Sequence, residues 1–276
     1  MTRRKLTRVA INTTGLLVFA VMVFPVYWMV STSFKRGSDV LSVKPEWFPH
    51  HPTLINFSDA IHRPYFWQDV KNSVFVVCVV VGLSAVLSFL AALALARFRF
   101  YGRKAFIILI IAVQMVPLNA LVIPIYLLLD RVGQVDSLIG VIAYYMAVVL
   151  PFMIWTLRGF VTNVPVDLEE AAMIDGATRI GAFMRIVFPL VAPGLVATAI
   201  FGFIQAWNEY IIAYVLLSTS SKQTLTIWLA SFTTQHGTDW GGLMAGATLT
   251  ALPVVVLFLI VQRYVQGSLT AGAVKG

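Results

Sequence analysis

Six long stretches of the chain carry apolar side chains almost without interruption, at 9–30, 73–96, 105–129, 138–157, 190–217 and 243–261. The apolar residues run continuously rather than alternating with polar ones, so the strands of a membrane barrel do not fit. Each run supplies about the 20 residues that a helix needs to cross the hydrocarbon core of a bilayer. Hydrocarbon offers peptide groups no hydrogen-bond partner, and helices satisfy their backbone internally. The pattern therefore predicts an all-α membrane protein, with six transmembrane helices in one transmembrane domain over residues 1–276.

Composition agrees. Of the 276 residues, 59% are hydrophobic and 12% charged, and mean hydropathy is +0.86. A soluble domain carries about 25% charged residues, so this chain cannot cover a water-facing globule. One cysteine, Cys78, can form no internal disulfide. The net charge of +8 fits nucleic acid or a membrane surface, and the placement of the cations decides between them. With the N-terminus inside, the inner segments carry thirteen Lys and Arg and the outer ones seven. The short connection 97–104 alone holds Arg97, Arg99, Arg103 and Lys104. Lys and Arg are enriched on the cytoplasmic side of membrane proteins. Both termini are thus expected in the cytoplasm, and the charge needs no nucleic acid to explain it. Tyr27, Trp28 and Tyr214 then fall near outer ends of spans, and Trp155 and Tyr264 near inner ends, where amphipathic rings are favoured. Pro25, Pro117, Pro124, Pro151 and Pro253 kink their helices, either to pack them or to frame a water-filled path.

The inner connection 158–189 is too long for a turn and too patterned for a linker. Asp167 and Glu170 have the spacing of a capping box, and Gly176 is a natural helix stop. They predict a short helix over about 167–175. A second helix starts at Thr178, with Ile180, Phe183, Met184 and Val187 on one stripe. The first helix pairs small Ala171 and Ala172 with acidic Glu169, Glu170 and Asp175. A helix lying on lipid headgroups favours Lys and Arg instead. A smooth helix of small residues suits a groove on another protein.

Glu170-Ala171-Ala172, three residues, Gly176, nine residues and Ile186-Val187-Phe188-Pro189 resemble the EAA loop of permeases in binding-protein-dependent ABC importers, with Phe188 where leucine is usual. Ala206-Trp207-Asn208-Glu209-Tyr210 and the tail 267–276 are similar to the maltose-type carbohydrate permeases, specifically the shorter of two partner subunits, although Ser268 interrupts the commoner Gly-Leu-Thr of the tail. The resemblance covers nearly the whole chain. It implies a pore subunit in a bacterial or archaeal cell membrane, for a carbohydrate of two or more sugar units. The implied partners are a second homologous permease, two ABC ATPases and an external sugar-binding protein. It implies that Asp167, Glu169, Glu170, Ala171, Ala172, Asp175 and Gly176 form the handle gripped by an ATPase. By the same likeness the small, polar, Gly-rich loop with Gln235, His236, Gly237, Thr238 and Asp239 reaches the binding protein as a flexible probe. Thr270, Ala271, Gly272 and Lys275 of the tail would contact the ATPases.

Glu209 is the one ionisable residue inside a predicted span, and intramembrane charges are costly enough to suggest function. It is either a structural partner to an outer loop or sister subunit, or a lining residue of the path. Gln114, Asn119, Tyr144, Tyr145, Gln205 and Asn208 are further polar groups within spans. Sugar hydroxyls want such partners and flat aromatic faces, although each residue can equally serve helix packing. Gly242 and Gly246 form a small-xxx-small pair for packing. No Gly is followed by Lys anywhere, so there is no phosphate-binding P-loop and ATP belongs to another subunit. No nucleophile–base set is visible, and no cofactor is expected. His50, His51, His62 and His236 lie in outer loops without metal-ligand spacing. The alternative function is an ion-coupled secondary carrier of a small polar solute. Such a carrier needs buried acids and usually a repeat, and Glu209 alone, with no internal repeat, serves it poorly.

Overall fold

The computed structural model describes the backbone of residues 3–271, with side chains over 7–117 and 120–262. In chain order the elements are α1 (Arg3–Ser33), α2 (Gly37–Val40), α3 (Ile55–His62), α4 (Phe66–Arg97), α5 (Arg103–Met115), a 3-10 turn at Leu118–Leu121, α6 (Val122–Arg131), α7 (Leu138–Asn163), α8 (Val166–Ile174), α9 (Arg179–Ala182), a π-helical turn at Phe183–Val187, α10 (Phe188–Asn208), α11 (Ile211–Leu216), a 3-10 turn at Ser220–Lys222, α12 (Leu225–Ala230), β1 (Thr233–Thr234), β2 (Gly237–Thr238) and α13 (Trp240–Ala271). Among the described residues the regular elements are helical apart from one small hairpin. Among the described residues, five helices are long and apolar enough to cross a membrane: Thr7–Ser33, Phe66–Arg97, Leu138–Asn163, Arg179–Asn208 and Trp240–Gln262.

Two expected spans are not single helices. The run 105–129 breaks at Pro117 into α5 and α6. Proline disfavours helical backbone in the residue before it, and Val116 is extended, with φ −76° and ψ 125°. The run 190–217 breaks at Glu209, which is also extended, with φ −69° and ψ 131°. By contrast Pro25, Pro151 and Pro253 sit inside continuous helices.

The residues fall into two compact units. One comprises the chain as far as Phe66 together with Trp228–Leu252. There Asn56 Nδ2 donates to the carbonyls of Ser33 (2.9 Å) and Lys35 (2.7 Å), tying α3 to the end of α1. The Lys35 ammonium lies 4.1 Å from the Trp28 ring centre and donates to the Glu46 carbonyl at 2.6 Å. Burial pushes its pKa below the ordinary value, opposed by Glu46 and Asp39. A Cβ on Gly242 would come within 2.6 Å of the Phe232 ring, and one on Gly246 within 3.1 Å of Leu229 and Trp228. The predicted small-residue pair thus leaves room for Trp228, Leu229 and Phe232.

The other unit comprises Trp67–Ile227 with the remainder of α13. Its core joins Phe89 and Leu93 of α4, Leu157 and Val161 of α7, and Phe183, Val187 and Val191 of the π-turn and α10. Leu95, Ile110 and Ile154 form a second cluster between α4, α5 and α7. Helices α7 and α10 approach closely because Gly194 lies under the Phe160 ring and Gly202 under Val149; a Cβ at these glycines would be only 2.4 Å and 2.8 Å from those side chains.

Candidate functional site

The acidic, alanine-bearing segment expected over 167–175 forms α8. It starts at Val166 behind Pro165, one residue earlier than the capping pattern predicts, and no side chain caps it. Asp167 therefore lies within the first turn and is not the N-cap residue. Proline fixes φ and has no N–H of its own, which leaves one orphan donor fewer at the start of the helix. The C-terminal end matches the sequence reading. Gly176 has φ +89°, its N–H donates to the Met173 carbonyl (3.1 Å), and that of Ala177 donates to the Ala172 carbonyl (3.0 Å). This is the Schellman stop. Asp167, Glu170, Ala171, Asp175 and Gly176 are exposed, and Ala172 is half-buried.

Glu169 is different. It is buried, and its Oε1 pairs with Arg97 Nε at 2.5 Å. Arg97 Nη2 also donates to the Val164 carbonyl at 2.7 Å. One guanidinium at the end of α4 thus holds both α8 and the residue that leads into it. A charge-assisted contact of this kind is strong and geometrically specific. Arg97 was read in the sequence only as a topological cation. No short-range pattern links positions 72 residues apart. In the segment after Gly176, Thr178 caps α9 by accepting from Gly181 N at 3.1 Å. The expected apolar stripe is split: Phe183 and Val187 are buried, whereas Ile180 and Met184 are exposed. The π-turn changes the register that a regular helix would keep.

The second site lies at the break between α10 and α11. Ending α10 frees backbone groups that lipid cannot satisfy, and the structure satisfies them locally. The Glu209 carboxylate accepts from Ile212 N (2.8 Å), Ala213 N (3.1 Å) and the Tyr145 hydroxyl (2.8 Å). Its carbonyl accepts from Thr226 Oγ1 at 2.8 Å. Glu209 therefore caps α11. Beside it is a cavity of about 430 Å³, lined by Tyr144, Tyr145, Gln205, Asn208, Glu209 and Tyr210 among others. Five of the seven sequence candidates converge here. Gln114 does not; its Nε2 donates to the Ile110 carbonyl of its own helix at 3.1 Å. The Asn119 side chain lies outside the described residues. Among the described residues, the Tyr144 hydroxyl and Gln205 amide have no hydrogen-bond partner and remain available to a ligand.

Asp136 supports the same region. Its backbone is left-handed, with φ 53°, which aspartate tolerates better than most residues. Its carboxylate accepts from Ser218 N and Thr219 N (3.0 Å each), Thr219 Oγ1 (2.7 Å) and Lys222 Nζ (2.9 Å). The Thr219 amide and hydroxyl, then Lys222, hold its pKa well below the usual carboxylate range.

The expected loop contains a short hairpin. Thr233 pairs with Thr238 and Thr234 with Gly237, leaving Gln235 and His236 at the tip. Gly237 takes φ +124°, a conformation that favours glycine. Asp239 caps α13, accepting from Gly242 N at 3.0 Å. Small polar residues here supply turn and cap chemistry. Of the tail residues, Thr270 and Ala271 belong to α13 by backbone. Gly272 and Lys275 lie outside the described residues.

The model of a family described as binding-protein-dependent transport system inner membrane component matches residues 84–270. The chain is 45% identical over 276 residues to the diacetylchitobiose uptake system permease protein DasC of Streptomyces coelicolor, covering 100% of both chains. It is 36% identical over 262 residues to the trehalose transport system permease protein SugB of Mycobacterium tuberculosis, covering 94% of this chain and 95% of that one. A chain from the crystal structure of a bacterial ABC transporter involved in importing the acidic polysaccharide alginate has a TM-score of 0.80 to it, with 23% identity and coverage of 96% and 98%. At that identity the likeness concerns the fold. The chain belongs to the binding-protein-dependent transport system inner membrane components, and is a non-catalytic membrane permease subunit of an ABC importer.

Proposed function

We propose that this subunit forms half of a pore that passes a di- or oligosaccharide delivered by an external binding protein. Six crossings would place both termini in the cytoplasm, with the broken pair α5 and α6 as the third. A second, different permease would complete the pore, and two ATPases would drive it. The observation that carries the reading is α8: an exposed acidic and alanine-bearing face, a glycine stop, and a buried ion pair to a long apolar helix. Small side chains allow a partner's backbone to approach, and the anchored Glu169 passes the pull to α4. The cavity at Glu209 supports a polar cargo by its aromatic faces and unpaired hydroxyl and amide. The relatives' names, diacetylchitobiose and trehalose, support a carbohydrate. The hairpin tip at Gln235 and His236 would meet the binding protein, and Thr270, Ala271, Gly272 and Lys275 the ATPases. The family does not favour an ion-driven carrier.

Glu170→Lys reverses the exposed charge, and Gly176→Leu places a side chain where φ is +89°. Both variants should insert in the membrane, lose ATPase co-purification and lose uptake. Ordinary co-purification with full uptake in both would overturn the coupling role.

A further inference from the structure

Arg97 is committed to Glu169, but three neighbouring cations are not committed to any acid. Arg99, Arg103 and Lys104, with Arg158 from α7, line a cavity of about 720 Å³. No acidic side chain lines it, and the sequence has no Asp or Glu between Asp69 and Asp130. The ion pairs among the described residues are Arg97–Glu169 and Lys222–Asp136, so none neutralises this group. Arg103 Nε and Arg158 Nε are buried without a hydrogen-bond partner. Buried donors left unpaired are costly, and four like charges around one cavity repel one another. An anion relieves both costs. Guanidinium groups match the oxygens of a phosphate particularly well. The uncapped first turn of α5, a helix of 13 residues, borders the same space through Gly102, Arg103, Lys104 and Ala105 and adds a favourable field for an anion.

The surroundings point to a lipid as the source of the phosphate. The Arg158 guanidinium lies 5.7 Å from the Trp155 ring centre. Trp155, Phe100 and Tyr101 are exposed, and tryptophan and tyrosine favour the headgroup layer of a bilayer. The lining continues through Ile107, beside exposed Ile108 and Leu109 of α5, which offer a surface to acyl chains. Basic pockets between membrane helices are suited to anionic headgroups. We propose that this cavity holds the phosphodiester headgroup of an anionic phospholipid, with Arg103 and Arg158 as its principal ligands. The site is separate from both the α8 handle and the cavity at Glu209, and it does not depend on the cargo assigned to the pore.

The test is native mass spectrometry of the full chain in detergent with equal phosphatidylglycerol and phosphatidylcholine. The wild type should retain phosphatidylglycerol preferentially. Arg103→Gln/Arg158→Gln should lower that retention by about tenfold or more, the order expected for two lost cations. Lys44→Gln, outside the cavity, should leave it unchanged. Equal retention by the double variant and the wild type would overturn the proposal. If the double variant does not fold by circular dichroism, brominated lipids test the wild type directly. Brominated phosphatidylglycerol should quench tryptophan fluorescence more than brominated phosphatidylcholine, and Trp155→Phe should remove the excess. Equal quenching by the two lipids would also overturn it. If inorganic phosphate stabilises the chain as much as phosphatidylglycerol and displaces that lipid, the cavity is a free-phosphate site and the lipid assignment fails.

Discussion

Glu209 is an ionisable residue at the end of a long apolar helix, and the structure gives its carboxylate three donors, two of them backbone amides of α11. Those donors all come from the same chain, and the residue also lines the cavity beside the helix break. Tyr145→Phe removes one charged-group hydrogen bond and should cost about 1.5–3 kcal/mol, measured as a lower unfolding midpoint in detergent. Tyr144→Phe removes a hydroxyl that has no protein partner and should spare stability while weakening uptake. If Tyr144→Phe lowers the midpoint as much as Tyr145→Phe, the distinction between support and ligand contact is wrong. The convergence of Tyr144, Tyr145, Gln205, Asn208 and Glu209 on one cavity could not be read from their spacing, because two helices 60 residues apart supply them. Gly194 and Gly202 act at the same scale. Overpacking costs about 1–3 kcal/mol, so Gly194→Ala should destabilise the α7–α10 contact by that amount, since the Phe160 ring cannot yield at its base.

At the scale of elements, α8 was legible in outline: its small residues, its acids and its glycine stop are local features. Its anchoring was not, because the Arg97–Glu169 pair joins distant parts of the chain. Removing one partner of a buried pair costs about 3–5 kcal/mol, whereas replacing both with apolar residues is often neutral. Arg97→Met should therefore be strongly destabilised, and Arg97→Met/Glu169→Met should recover most of the loss in thermal unfolding. A double variant no more stable than the single one would show that the pair is not the anchor. Asp136 joins the turn before α7 to the segment after α11. Its folded pKa is depressed, so its ionised contacts contribute fully above the unfolded value of about 4 and are lost as pH falls through the lower folded value. Protection of Ser218 and Thr219 from hydrogen exchange, taken relative to the intrinsic rate at each pH, should hold at pH 5 and fall only at strongly acid pH. Asp136→Asn should exchange fast at both, and an Asn variant indistinguishable from wild type would refute the assignment.

For the whole molecule, composition and run length were enough to place the chain in a membrane, because too few ionised groups exist to solvate a globule. Whether the third apolar run crosses the bilayer is a separate matter, since it is two helices joined at Pro117. In a Cys78→Ser background, Tyr101→Cys should react with an impermeant thiol reagent from the cytoplasmic side only, and Val132→Cys from the outside only. Labelling of both from one side would make α5 and α6 a re-entrant pair and reduce the crossings to five. The sequence by itself determined the solvent of this protein, its helical class and the position of the short acidic helix, because hydropathy, caps and stops act within a few residues. Only the tertiary structure decided where helices break and re-pair their backbones, which acid anchors α8, and which scattered polar and basic side chains face common cavities. Those outcomes depend on distant segments meeting, and no local pattern records which ones do.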